Sequence, residues 1–131
     1  MTDSNPQSIK TMSEKRSTNE LEERTYVFAR DVRRLVQKLP RTDANQEDIP
    51  QLVRASGSVA ANYLEANDSL GKKDFLMRMR ITRKESKESR LFLRLVDCGD
   101  DSELTAERGQ LAQEALELKL IFSSIIIKSG G

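Results

Sequence analysis

Histidine is absent from the 131-residue chain. With it go the commonest general base near neutral pH, the usual triad partner and the commonest metal-binding side chain. Helical di-iron centres built on Glu-x-x-His pairs are excluded outright. Cys98 is the only cysteine, so no disulfide can form within the chain, and a reducing cytoplasm fits that usage. No apolar run approaches the roughly 18 residues that a membrane helix requires. The cluster Ile125-Ile126-Ile127 beside Phe122 is far shorter. An excess of one charge is missing as well, since 22 basic residues stand against 21 acidic ones. A net charge of +1 sets up no global field toward nucleic acid or membrane, so any such binding must come from local clustering.

What remains is helix-forming material. Charged residues make up 33% and aromatics only 5%, and a chain rich in Leu, Glu, Lys and Arg suits helices rather than sheets. No segment alternates with period two, so no sheet is expected. The length fits one domain with one modest core. Residues 1–18 are polar, lack the apolar core of a signal segment, and read as a disordered tail. Residues 19–128 read as the folded domain and 129–131 as a frayed end.

Four amphipathic stretches divide the folded part. Asn19 and Glu22 have capping-box spacing, and Leu21, Phe28, Val32, Leu35 and Leu39 then mark one helical face up to Pro40. Residues 41–47 are polar and read as a loop. Asp48 and Pro50 open a second helix, with Leu52, Ala55, Val59, Tyr63, Ala66 and Leu70 as its apolar stripe. Its centre, around Ala55, Ser56, Gly57, Ser58, Ala60 and Ala61, carries no charge and lets a neighbouring helix come close. A phosphate-binding glycine loop is excluded there, because no Gly-Lys-Ser/Thr spacing follows. Gly71 breaks the pattern. A third helix then runs from Lys72 to Cys98, with Gly99 as its cap. Ser102 or Thr105 caps a fourth, which carries Leu104, Leu111, Ala115, Leu118, Phe122 and Ile125. Short connections between four such helices imply an all-α, antiparallel up-down four-helix bundle.

The third helix is the most informative. At about 100° per residue, Phe75, Met79, Thr82, Ser86, Ser89 and Leu93 share a core seam. Met77, Ile81, Phe92 and Leu95 make a second apolar strip beside it, which calls either for burial within the bundle or for a subunit interface. Lys72, Lys73, Arg80, Arg83, Lys84, Lys87, Arg90 and Arg94 fall in one arc of about 120° on the same projection. Asp74, Glu85 and Glu88 project elsewhere. Like charges so placed repel along the helix. Acids of the fourth helix (Glu103, Glu107, Glu114, Glu117) or of another subunit would neutralise them. The other reading is an electrostatic footprint for RNA, DNA or an acidic protein. No aromatics interleave the stripe, so backbone contacts would dominate and base stacking is not indicated.

Catalytic chemistry finds little support. Arg78 projects about 20° from Glu85, which favours a structural network over an acid–base pair. Asn62, at the edge of the second helix's stripe, reads as a register-fixing amide. Cys98 falls at a helix C-terminus, where the dipole disfavours a thiolate nucleophile. No cofactor is called for.

Three runs carry a family resemblance. Gln51-Leu52-Val53-Arg54-Ala55-Ser56-Gly57-Ser58-Val59-Ala60-Ala61-Asn62-Tyr63-Leu64-Glu65-Ala66 resembles the signature of the bacterial four helix bundle protein family. That family includes proteins encoded by intervening sequences of large-subunit ribosomal RNA genes. Lys72-Lys73-Asp74-Phe75 with Lys84-Glu85-Ser86-Lys87-Glu88-Ser89-Arg90 is similar to its second signature. Leu21-Glu22-Glu23-Arg24-Thr25 with Phe28-Ala29 is similar to its first helix. The resemblance implies a bacterial cytoplasmic protein with no established enzymatic activity, assembled as a homopentamer. It marks Asn62, Glu65, Lys84 and Glu85 as motif positions. A more distant similarity is to the accessory variability determinant of diversity-generating retroelements, a basic pentameric bundle that binds RNA and a reverse transcriptase. The net charge of +1 departs from that pattern. The partners expected are thus further copies of the chain and either RNA or a nucleic-acid-bound protein.

Overall fold

The structure, a computed structural model, describes residues 12–131. It contains α1 (Met12–Val36), α2 (Asp43–Asn67), α3 (Lys72–Leu95) and α4 (Ser102–Lys128), and no strand among the described residues. The all-α four-helix expectation holds. Each helix packs on two neighbours, α1 on α2 and α4, and α3 on α2 and α4. The α2–α3 and α3–α4 pairings are the most extensive and α1–α4 the least. The core takes Phe28, Val32 and Leu35 from α1, Leu52, Val59 and Tyr63 from α2, Met79 and Leu93 from α3, and Leu118 and Phe122 from α4. The rings of Tyr63 and Phe122 stack with centroids 5.7 Å apart. No described helix is long and apolar enough to cross a membrane.

Helix ends depart from expectation in ways that polar contacts explain. Residues 12–18 are helical, so α1 begins before Asn19; residues 1–11 of the expected tail lie outside the described residues. The far end of α1 is Val36, not Leu39: the Lys38 and Leu39 amides donate to the Leu35 and Val36 carbonyls at 2.9 and 3.3 Å in a tightened turn, and Leu39 itself precedes a proline, which disfavours the helical region. Residues 43–47 are not a loop. Thr42 caps α2 by accepting the Asn45 amide at 3.1 Å, and Pro50 lies inside the helix with its ring exposed. Leu70 leaves the apolar stripe entirely: α2 has ended at Asn67, and the side chain is 79% exposed.

Asn45 explains the opposite connection too. Its buried amide donates to the Pro40 and Asp97 carbonyls, both at 2.9 Å, and its Oδ1 accepts the Asp97 amide at 2.9 Å. The α1–α2 and α3–α4 connections are thereby tied through one side chain. Capture of Asp97 draws the chain out of the helical path, so α3 stops at Leu95, short of Cys98. Cys98 is buried beyond the helix, with its Sγ 3.9 Å from the Leu104 carbonyl. Gly99 is a turn residue at φ +64 rather than the helix cap, and its amide donates to Asp97 Oδ1 at 2.8 Å. Asp101, not Ser102 or Thr105, caps α4 by accepting the Leu104 amide at 3.0 Å. Residues 129–131 turn back after α4. Gly130 takes φ +87 and the Gly131 amide returns to the Ile126 carbonyl at 2.9 Å.

Gly57 admits a side chain rather than a backbone. A Cβ there would lie 2.9 Å from Nη2 of Arg33, whose guanidinium crosses from α1 to donate to the Val53 carbonyl at 3.3 Å. On the other side of α1, the seam with α4 opens into a cleft of about 430 Å³ over Phe28 and Leu111. Lys38–Glu107 and Arg24–Glu114 bridge that seam.

Asn45→Ala should strand buried backbone groups on both connections and lower the unfolding free energy by about 2–3 kcal/mol. Urea denaturation followed by circular dichroism checks this, and a loss below about 0.5 kcal/mol would remove the clamp from the account. Gly57→Ala should instead raise stability by up to about 1 kcal/mol, because the only atoms it displaces are the far end of the Arg33 side chain. A lowered melting temperature would show that the guanidinium contact outweighs helix propensity.

Candidate functional site

The rotation of α3 about its own axis decides what its two flanks face. Met79, Thr82, Ser86, Ser89 and Leu93 are fully buried, as expected, and Phe75 is half-buried. Buried hydroxyls need partners. Thr82 Oγ1 donates across the seam to the Val59 carbonyl at 2.6 Å, while Ser86 and Ser89 donate to the Thr82 and Glu85 carbonyls of their own helix. With that face held against α2, one flank turns toward α4 and solvent and the other toward the outer edge of α2.

The first flank is basic. Lys72, Lys73, Arg80, Lys84, Lys87 and Arg94 are exposed, and Arg83 and Arg90 are half-buried. None of them reaches a carboxylate at ion-pairing distance among the described residues. Neutralisation by α4 within the chain is therefore corrected. Glu114 and Glu117 pair with Arg24 at 2.7 and 3.1 Å, and Glu107 pairs with Lys38 at 2.9 Å. All these partners lie on or just beyond α1. Glu103 is exposed in the first turn of α4. The edge of α4 that meets α3 adds Lys119, which shares a cavity of about 180 Å³ with Lys87, Arg90 and Arg94. Lys72, Lys73 and Arg80 line a wider depression at the start of α3 together with Asp74 and Met77.

The second flank faces α2. Arg78 donates to Asn62 Oδ1 at 3.2 Å, and Asn62 donates to the Ser58 carbonyl at 3.0 Å. The expected pairing of Arg78 with Glu85 is not made. Arg54 of α2 stands there instead, 3.6 Å from Glu85 and 3.5 Å from Glu88. Glu85 is only 7% exposed, and its Oε2 has no hydrogen-bond partner. Desolvation, then the neighbouring Glu88 charge, push its carboxyl above the usual range; Arg54 and Lys84 offset part of this. The side chain of Glu65 is exposed, although its carbonyl accepts Ser69 Oγ. Met77 and Leu95 are 45% and 53% exposed, with Ile81 and Phe92 half-buried between them. The bundle thus leaves much of this strip uncovered.

Sequence reasoning missed Asn45, Arg54 and Lys119. Arg54 and Lys119 are long side chains on other helices whose reach depends on tertiary placement. Asn45 sits in a stretch without apolar periodicity, and only the Thr42 spacing signals a helix start there. No three of His, Cys, Asp and Glu converge as a metal site among the described residues. No family model, curated protein or solved structure matches the chain.

Because folding raises the Glu85 titration range, the folded chain binds this proton more tightly than the unfolded chain does. The group's contribution is full below its unfolded value and is lost as pH rises through the folded one. Glu85→Gln should therefore add about 1 kcal/mol at neutral pH, roughly 3 °C in melting temperature, and little at about pH 4. Thermal melts at both pH values check this, and equal shifts at both would show that the carboxyl is not strained.

Proposed function

We propose that this chain is a non-catalytic, oligomeric helical-bundle module that binds RNA or a ribonucleoprotein partner through the basic flank of α3. The observation that carries the reading is that flank's lack of acidic partners, while Glu107, Glu114 and Glu117 of α4 are committed to Lys38 and Arg24. A row of cations without counterions is costly to the helix and useful to a polyanion. Phosphate contacts dominate on such a surface, and sequence preference is weak.

The contacts Asn62–Arg78, Val59–Thr82 and Arg54–Glu88 run in opposite directions along α2 and α3, which supports an antiparallel up-down arrangement. The uncovered strip of Met77, Ile81, Phe92 and Leu95 supports self-association, and the family resemblance of residues 51–66 and 84–90 supports a homopentamer in a bacterial cytoplasm. By the same resemblance, a nucleic-acid-bound protein such as a reverse transcriptase is a fitting partner.

A second reading makes the chain a protein-interaction scaffold without nucleic acid, its basic flank neutralised by Glu103 or other acids of a neighbouring subunit. The triple variant Lys73→Glu, Arg80→Glu, Lys84→Glu separates the two. In the first reading it lowers RNA affinity by at least about 100-fold and leaves helicity and light-scattering mass unchanged. A fall in mass with the same substitutions favours the scaffold, and retained RNA binding removes the basic flank as the site.

A further inference from the structure

The basic flank is not uniform. Most of it is an open row of side chains, but toward the C-terminal end of α3 a half-open notch of about 180 Å³ lies between α3 and α4. Its floor is made by Ser86 and Ala115, both fully buried and both small. Its walls carry Lys87, Arg90 and Arg94 from α3 and Lys119 from α4, with the apolar Leu91 between the two arginines. Arg90 and Lys119 are half-buried, and no carboxylate lines the notch. The nearest acids along α3, Glu85 and Glu88, turn to Arg54 on the opposite flank. Those of α4, Glu114 and Glu117, turn to Arg24. The Ser86 hydroxyl is already spent on the Thr82 carbonyl at 2.9 Å, so recognition falls to the four cations.

We infer that this notch is a phosphate subsite, and that it takes a terminal, doubly charged phosphate monoester in preference to a phosphodiester within a strand. The notch has room for one phosphate group among its four cations. No aromatic side chain lines it to hold a base. A diester carries one charge and has chain on both sides, so it can only pass over the mouth. A monoester enters end-on with about two charges at neutral pH, which matches the surplus of cations better. The two guanidinium forks suit the paired oxygens of such a group. This rests on the proposed nucleic-acid binding only for the source of the phosphate, since a free phosphate compound presents the same chemistry.

The test uses the full chain and two short single-stranded RNAs of one sequence, one with a terminal phosphate and one with hydroxyl ends, each labelled at the far end. Fluorescence anisotropy should show the phosphorylated strand binding about tenfold tighter, with inorganic pyrophosphate removing the difference. Lys119→Glu should bring the ratio to about one, and the exposed Arg94→Glu repeats that test if Lys119→Glu does not fold. Lys73→Glu, outside the notch, should weaken both strands alike. Equal affinities in the unaltered chain, with no competition by pyrophosphate, overturn the subsite and leave general RNA binding standing. Stabilisation by pyrophosphate that Lys119→Glu abolishes, with neither RNA bound, supports the subsite with a free phosphate ligand and overturns the nucleic-acid reading. No binding of any probe overturns both.

Discussion

The hydrogen bond from Thr82 to the Val59 carbonyl is the contact on which the arrangement of charges depends. A hydroxyl buried without a partner costs about 1–3 kcal/mol, so this bond admits one rotation of α3 against α2 and disfavours its neighbours. Ser86 and Ser89 fold onto their own helix and stay small, which keeps the seam close. Once that face is fixed, the rest of α3 has no freedom. The carboxylates at 85 and 88 must meet Arg54, and the cations must turn toward α4 and water. The charge pattern of the outer surface is set by hydroxyls in the interior.

Charge is then distributed unevenly among the helices. The α1–α4 seam, the loosest of the four, is bridged by half-exposed ion pairs, each contributing at most about 1 kcal/mol. Those pairs occupy the acids of α4 that would otherwise screen α3. The chain as a whole is nearly neutral, yet one flank of one helix carries a local positive surplus. A net charge summed over the sequence conceals that surplus, because most of the nearby acids are turned to Arg54 on α2 or to Arg24 and Lys38 on the α1 side.

Much of this was legible in the sequence and some was not, for physical reasons. The helical faces of α3 and α4 are long and periodic, and Thr82, Ser86, Ser89, Ala115 and Leu118 lie buried where the pattern puts them. Helix ends were harder. They depend on one side chain reaching another segment, as Asn45 reaches Asp97. Periodicity is blind to such contacts. The same limit applied to the surface. The arc of cations on α3 follows from residue spacing alone, but Lys119 joins it only through the packing of α4, and Arg54 replaces Arg78 beside Glu85 only through the packing of α2. At Leu70, the apolar pattern simply ran past the end of the helix.

The two ends of the bundle are built unequally. At one end, a single amide joins two connections that are 52 residues apart in the chain. At the other, the link between α2 and α3 presents Leu70 to water, and nothing lies within 4 Å of a Cβ placed on Gly71. Lengthening a connection at the first end would break a shared lock, whereas the α2–α3 link has room for added chain. Growth by insertion, or the grafting of a reporter or a second domain, is therefore directed to one pole of the molecule, and there it would sit beside the lysines that begin α3.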